Sequence, residues 1–365
     1  MQAKIIAFHL PQYHTFKEND EWWGKGFTEW VNVKKAKPLY KGHNQPRVPL
    51  DDYYYDLMNY ETRKWQADLA KKYGIYGFCY YHYWFNGKML MEKPCEALLD
   101  ETDIDLPFCF CWANEPWTRA WDGKSKEVIM PQAYGGKKEW KEHIDYLLKF
   151  FKDNRYIKVK GAPMFVLYRT NNIDNCDEMI SFWDAECKNH GFTGIHIVEE
   201  RNNFQNAPCC KKSKAYLDFE PMHVWKWEKK GLAKIKDVVD NHIVKIITKR
   251  SFYRFNYDDY WKKILNVTDA ATDKIHYLGG FVDWDNTSRR ANNGLVCTGV
   301  TPSKFGKYLK KLLAVAEEKE SPYIFLNAWN EWAEGTYLEP DKANGYGYLN
   351  AIKDALSFEN GEKHD

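Results

Sequence analysis

The feature that most limits what this chain can fold into is a series of eight short apolar runs, spread along its 365 residues and separated by segments of helical character. The runs are Lys4–His9, Tyr76–Tyr81, Pro107–Trp112, Met164–Tyr168, Ile195–Glu199, Ala215–Phe219, Ile275–Val282 and Tyr323–Ala328. Most are nearly continuous in apolar residues and do not alternate, which is the pattern of strands buried on both faces. Helix-like segments lie between many of them, at 61–73 (stopped by Gly74), 140–152, 177–189, 257–264 and 302–319. This alternation predicts the α/β class and a single (β/α)8 TIM barrel. A doubly wound open sheet is the alternative, but no Gly-rich phosphate turn follows any run. With no internal repeat or low-complexity linker, one domain over residues 1–365 is expected.

Two segments fall outside this rhythm. Residues 11–60 follow the first strand without an obvious helix and carry Trp22, Trp23, Gly24, Gly26, Phe27, Glu29 and Trp30. A structureless loop of that length is usually functional, so it is expected to form a lid or wall over the barrel mouth. Residues 224–251 read as helical and basic, a solvated outer face.

A barrel builds its active site from the C-terminal ends of its strands. The first end offers His9, Gln12, Tyr13 and His14, with Trp30 from the following loop, and the second offers Tyr81, His82 and Trp84. The third gives Trp112, Asn114, Glu115 and Trp117, and the fourth Tyr168 beside Arg169. Glu199, Glu200, Asp218 and Glu220 follow strands five and six, and Asp283, Trp284, Asp285, Asn286 and Arg289 follow strand seven. The eighth end runs through Asn327, Trp329, Asn330 and Glu331 to Glu334. Cleaving an acetal needs one carboxylic acid to protonate the leaving oxygen and a second carboxylate to assist. Indole faces suit the C–H faces of pyranose rings, and Asn suits their hydroxyls. A lone Glu-x-x-Glu is common on helix surfaces; at a strand end facing other polar and aromatic ends, it becomes the candidate catalytic pair.

Glu115 is the rival for one of those positions, either as an acid/base or as a residue that holds Trp117 or Arg119 in place. His9, His14 and His82 match no metal-ligand spacing, so neither a metal nor a cofactor is expected. Glu199, Glu200 and Glu220 are expected to pair structurally with Lys and Arg, and Asp283 and Asp285 to bind hydroxyls. The aromatic share of 17%, with 16 Trp and 25 Tyr, exceeds what a core needs and favours a ligand surface. A net charge of +2 gives no case for nucleic acid or an anionic membrane. No apolar stretch approaches the ~20 residues that span a bilayer. The first residues enter a strand without a signal-peptide core, and nine Cys make an odd number, so a cytoplasmic protein with reduced thiols is expected.

His-Leu-Pro-Gln-Tyr-His at 9–14, Gly-Phe-Thr-Glu-Trp at 26–30, Gly-Phe-Cys-Tyr-Tyr-His-Tyr-Trp at 77–84, Trp-Ala-Asn-Glu-Pro-Trp at 112–117 and Asn-Glu-Trp-Ala-Glu-Gly at 330–335 together resemble the WbsX-like proteins. That family is named for glycosyltransferases of O-antigen and capsular polysaccharide loci, and the resemblance runs over about residues 4 to 355. Glu-Trp-x-Glu-Gly at 331–335 is also similar to glycoside hydrolase family 99, the endo-α-mannosidases and endo-mannanases, which are (β/α)8 barrels. The second resemblance implies Glu334 as general acid/base and Glu331 as the base that deprotonates the sugar 2-hydroxyl. The 2-oxygen would then close a 1,2-anhydro sugar that water opens with net retention. Ala333 departs from the His that those hydrolases more often carry there. Such a cycle requires a protonated Glu334 and an ionised Glu331. Three functions stay open at this point: a retaining glycoside hydrolase or transglycosidase on a bacterial surface polysaccharide, a sugar-nucleotide-dependent glycosyltransferase, and a non-catalytic glycan-binding protein.

Overall fold

The computed structural model describes residues 2–119, 124–228 and 252–361. Its eight central strands are β1 Lys4–His9, β2 Gly77–Phe85, β3 Phe108–Trp112, β4 Ala162–Leu167, β5 His196–Arg201, β6 Ala215–Asp218, β7 Ile275–Phe281 and β8 Tyr323–Asn327. Each pairs in parallel with the next, and β8 returns to β1 with Lys4 opposite Tyr323, closing the (β/α)8 barrel. These strands sit within a residue or two of the apolar runs at most ends. Strand β2 runs on to Phe85 because Lys88–Leu90 folds back against it as a hairpin.

The helices are α1 Lys17–Trp23, α2 Glu29–Lys35, α3 Tyr60–Lys72, α4 Lys93–Asp100, α5 Lys137–Phe151, α6 Cys176–Asn189, α7 Met222–Trp227, α8 Tyr257–Leu265, α9 Thr287–Arg290, α10 Pro302–Glu318 and α11 Gly347–Gly361. Their ends follow local chemistry. Helix α10 starts at Pro302 behind Thr301, whose hydroxyl accepts the Lys304 N–H at 3.2 Å. The loop after β1 is not structureless, because it holds α1 and α2. Helix α2 has seven residues, too few turns to display a period, yet it buries Glu29, Trp30 and Val33. The basic segment expected at 224–251 lies outside the described residues beyond position 228.

The barrel interior is aromatic. Phe8 packs against Tyr81, Phe219 and Phe325. A second cluster joins Leu10, Tyr13, Trp30, Val33, Tyr55 and Leu57 of the long loop to Trp332, Ala333 and Tyr337, so that loop is bolted onto the segment after β8. Cys176 and Cys210 form a disulfide, which corrects the expectation that every thiol is reduced. Of the free cysteines, Cys209 alone is exposed. No described helix is long and apolar enough to cross a membrane.

Candidate active site

Beyond β8 the chain makes one tight structure. Asn330–Glu331 pairs antiparallel with Thr336–Tyr337 across a single 3-10 turn, Trp332–Glu334, closed by Gly335 at φ +66°. Loop polar groups hold this turn from both sides. The Tyr13 hydroxyl donates to the Asn330 carbonyl at 2.7 Å and accepts the Trp332 N–H at 3.2 Å. The Asn330 amide brackets Leu10, accepting its N–H at 2.7 Å and donating to its carbonyl at 3.0 Å. From the loop after β7, the Asp285 N–H reaches the Glu334 carbonyl at 2.7 Å and the Ser288 hydroxyl reaches the Ala333 carbonyl.

This clamp puts Glu331 and Glu334 on one guanidinium. Arg289 of α9 bonds Glu334 Oε1 through Nη1 at 2.6 Å and lies 3.3 Å from Glu331 Oε2 through Nη2. Its other edge meets Glu29 Oε2 of α2 at 3.1 Å, with that carboxylate fully buried. Glu331 is buried and Glu334 is partly open to the cavity, its side chain 24% exposed. Burial pushes Glu331 up to about 8 against the pull of Arg289, with help from the charges of Glu334 and Glu29. Burial raises Glu29 as well, against the same guanidinium. The unliganded site therefore favours a protonated Glu331, where the family resemblance implies an ionised one.

The pair opens into a cavity of about 600 Å³ at the C-terminal mouth of the barrel. Tyr81, Tyr83, Trp117, Tyr168, Phe204, Phe219, Trp225 and Trp284 line it, with Asn203, Asn286 and Arg290 as polar groups. Glu115 stands in the same wall, ion-paired with Arg169. That arginine is fixed by Asn114, which accepts its backbone N–H and donates to its carbonyl, both at 2.8 Å.

Other expected site residues face elsewhere, and strand alternation explains most of them. Tyr81 and Tyr83 look into the cavity, while His82 and Trp84 point out at α5. There His82 Nε2 meets His143 Nε2 at 2.9 Å and Trp84 stacks on the His143 ring at 4.4 Å. Burial drops His82 to about 3, so it is neutral. Trp112 likewise points outward, its N–H on the Trp84 carbonyl at 3.0 Å. His9 faces α3 through Gln66 at 3.0 Å, and burial drops it to about 4. Gln12 lies 3.4 Å from Asn19, and His14 bonds the Pro11 carbonyl at 2.8 Å. Trp30 donates to the Tyr55 carbonyl at 2.8 Å. Asn327 donates to the Glu220 carbonyl at 3.0 Å, and Trp329 packs on Phe78. Apart from Tyr81 and Tyr83, none of these residues, nor Tyr13, Asn114 or Asn330, is among those lining the cavity.

The two aspartates of 283–285 are held by the long loop. Asp283 pairs with Arg47 at 2.9 Å, and Asp285 accepts from His43 at 2.7 Å and Gln45 at 2.8 Å. Between them Trp284 faces the cavity. Glu199 pairs with Lys274 at 3.0 Å, as expected. Glu200 and Glu220 depart from that expectation. Glu200 turns inward to Cys111 and Asn202, and burial lifts it to about 8. Glu220 accepts the Val224 N–H at 3.1 Å, beside His223. Among the described residues, two groups have ligand atoms close enough for a metal: Glu199 with Cys209 and Cys210, and Asp218 with Glu220 and His223. In the first, Cys210 is in the disulfide; in the second, Asp218 is ion-paired with Arg201 at 2.6 Å.

The sequence placed Arg289 at the seventh strand end and Glu29 in the long loop, but gave neither a role beside the glutamate pair. They lie 260 positions apart, and nothing local announces their contact. Tyr83 could have been found by counting in twos from Tyr81.

The family model for "Glycosyltransferase WbsX" matches residues 5–352. A curated relative, "Uncharacterized protein WxcX" of Xanthomonas campestris pv. campestris, is 33% identical over 369 residues, covering 98% of this chain and 50% of the relative. The chain thus spans about half the length of the curated relatives it matches. Among solved structures, a GH99 endo-alpha-mannosidase from Bacteroides thetaiotaomicron aligns with TM-score 0.58 at 15% identity, covering 100% of this chain and 98% of that one. A "Glycoside hydrolase-like protein" aligns with TM-score 0.61 at 11% identity, covering 97% and 94%. At these identities the likeness is one of fold.

Proposed function

The chain belongs to the Glycosyltransferase WbsX family, and on that premise we propose that it is a carbohydrate-active enzyme that cleaves or transfers within an oligo- or polysaccharide, with retention, through Glu331 and Glu334. The observation that carries this reading is the pair itself: two carboxylates on one guanidinium at the floor of an aromatic cavity. Trp284, Trp117 and Tyr168 offer ring faces to pyranose C–H groups, and Asn286, Asn203 and Arg290 offer hydrogen bonds to hydroxyls.

In the proposed cycle, Glu334 gives its proton to the departing glycosidic oxygen while Glu331 takes the proton of the sugar 2-hydroxyl. The freed 2-oxygen displaces the leaving group at the anomeric carbon and closes a 1,2-anhydro ring. An acceptor hydroxyl then opens that ring from the other face, giving its proton to Glu334 as Glu331 returns a proton to the 2-oxygen. Two inversions leave the configuration retained. Water as acceptor gives hydrolysis, and a second sugar gives transglycosylation. The unliganded site favours the proton on Glu331, so substrate has to reverse that preference. A 2-hydroxyl donating to Glu331 stabilises its charged form and does so in the required direction.

The sugar-nucleotide transferase reading draws on the family's name and on Asp283-Trp-Asp285, which has the outward form of a metal motif. Both aspartates are engaged by Arg47, His43 and Gln45, which favours the acetal chemistry. Turnover of Glu331→Gln and Glu334→Gln on surface polysaccharide is expected to fall by at least ~100-fold, the usual worth of a general acid or base. Wild-type-like turnover in either variant overturns the assignment. Glu115→Gln tests the rival, with a loss confined to KM expected if Glu115 only shapes the wall. Titration with UDP-, GDP- and dTDP-sugars, with and without manganese, tests the transferase, and saturable binding would favour it.

A further inference from the structure

Arg289 already has two carboxyl partners in the reacting pair, yet a third, Glu29, is brought to it by the long loop after β1. Burying an additional carboxyl beside two others costs free energy, because one guanidinium can balance the charge of one carboxylate only. A purely structural role for the arginine gives no reason for this. The arrangement of the fork gives one. Nη1 serves Glu334 at 2.6 Å. The Nε and Nη2 edge takes Glu29 Oε2 at 3.1 Å, leaving Glu331 the longer 3.3 Å contact on the same Nη2. Glu29 and Glu331 therefore compete for one edge of the cation, and Glu334 does not.

We propose that Glu29 and Arg289 are positioning residues that set which carboxylate of the reacting pair holds the proton, with Glu29 withdrawing guanidinium charge from Glu331. Because Glu29 opens α2, whose Trp30 and Val33 are packed against the turn at 332–333, this control depends on the long loop being seated. The loop thereby acts on proton placement as well as walling the cavity. This rests on reading Glu331 and Glu334 as the reacting pair, but its first test needs no substrate.

The other titratable groups around the cluster are Glu339, which accepts the Trp332 ring N–H at 2.6 Å, Glu115 and Arg290 in the cavity wall, and four phenols. Tyr13 comes from the loop after β1, Tyr81 and Tyr83 from β2, and Tyr168 from the end of β4; burial pushes each well above its ordinary value, so all four are neutral. Burial lifts Glu331 to about 8 and Glu339 to about 7; Glu331 is on Arg289, while Glu339 is held by Tyr55, Gln66 and Trp332. Replacing Glu29 by Gln removes a neighbouring negative charge and weakens the competitor for Nη2, because a neutral amide oxygen accepts less strongly than a carboxylate. Both effects favour ionised Glu331.

The experiment is a carbon-13 titration of the glutamate carboxyls in full-length protein labelled at Glu Cδ, with Glu331→Gln used to assign the Glu331 signal. In Glu29→Gln the Glu331 midpoint is expected to fall by about one pH unit, the usual size for removal of one close charge. In Arg289→Gln it is expected to rise. A Glu331 midpoint unmoved in Glu29→Gln overturns the proposal, and should that variant fail to fold, an unmoved midpoint in Arg289→Gln does the same. Where polysaccharide turnover is found, the pH profile of Glu29→Gln should move to lower pH with KM little changed. Absence of turnover in wild type would count against the proposed function and leave the titration result standing on its own.

Discussion

Gly335 shows how much of the site depends on single atoms. Its φ of +66° is left-handed, and a Cβ added there would lie 2.9 Å from both the N and the O of Asp285, backbone that cannot swing aside. Gly335→Ala should therefore push the Trp332–Glu334 turn off the loop after β7 and separate Glu334 from Arg289. The expected result is a loss of roughly 2 kcal/mol in stability, several degrees in melting temperature, together with a fall in kcat. Gly191→Ala is the control. It too has positive φ, +88°, but nothing lies within 4 Å of the added atom, so only about 1 kcal/mol of backbone cost is expected. Equal destabilisation in both variants, by calorimetry, would remove close approach as the explanation. The same attention to single positions tells how far the site was legible. The carboxylates at 331 and 334 and the aromatic walls at 81, 117, 168 and 284 stand out by residue type and strand-end position. His9, His82, Trp84 and Trp112 are equally polar or aromatic but fall on the outward phase of their strands. Residue type shows that a strand end is unusual, whereas parity decides which side of the wall it serves.

At the scale of elements, the site is a joint between the loop after β1, the loop after β7 and the turn after β8. The joint is partly electrostatic. Asp285 accepts from His43, Gln45 and Thr287, with Arg47 3.7 Å away. Burial opposes its ionisation, but the His43 hydrogen bond and the Arg47 charge outweigh that and hold it down at about 2. A carboxyl whose folded pKa is depressed below its unfolded value of ~3.9 stabilises the fold above that value and loses the contribution as pH falls toward 2. The linkage is worth on the order of 2 kcal/mol at neutral pH. Asp285→Asn should thus be clearly less stable than wild type at pH 7, with the difference narrowing steadily between about pH 4 and pH 2. Urea denaturation at several pH values measures this. A gap that stays constant with pH would mean that Asn fails for packing reasons and that the charge contributes nothing. This joint was hidden from sequence for the same reason as the Glu29–Arg289 contact. Its partners are contributed by irregular loops more than two hundred residues apart, where no periodicity links them.

For the whole molecule, the barrel was legible because its strands are buried on both faces and so appear as continuous apolar runs. Amphipathic helices of ordinary length separate many of them. The short helices α1 and α2 were not legible, being below the length at which a 3.6-residue period becomes visible. Closure of the barrel has a functional consequence, since it brings β1 beside β8 and thus the long loop beside the acidic turn. Among the described residues, the groups that hold the proposed pair are then on one face, around one cavity, with the two carboxylates sharing a cation. A glutamate on that shared cation is poorly placed to attack an anomeric carbon and well placed to take a proton from a neighbouring hydroxyl, which is why the substrate's own 2-oxygen is the proposed nucleophile. Two measurements on a cleavable polysaccharide or oligosaccharide test this together. Proton NMR of the first-formed product is expected to show the anomeric configuration of the substrate. An otherwise identical substrate blocked by methylation at the 2-oxygen of the cleaved sugar is expected to bind but to turn over at least ~1,000-fold more slowly, because an ether oxygen has no proton for Glu331 to take and so cannot close the anhydro ring. Retention with full turnover of the blocked substrate would assign the nucleophile to the protein instead, and Glu331, Glu334 and Glu115 would then each have to be tested for a covalent glycosyl ester.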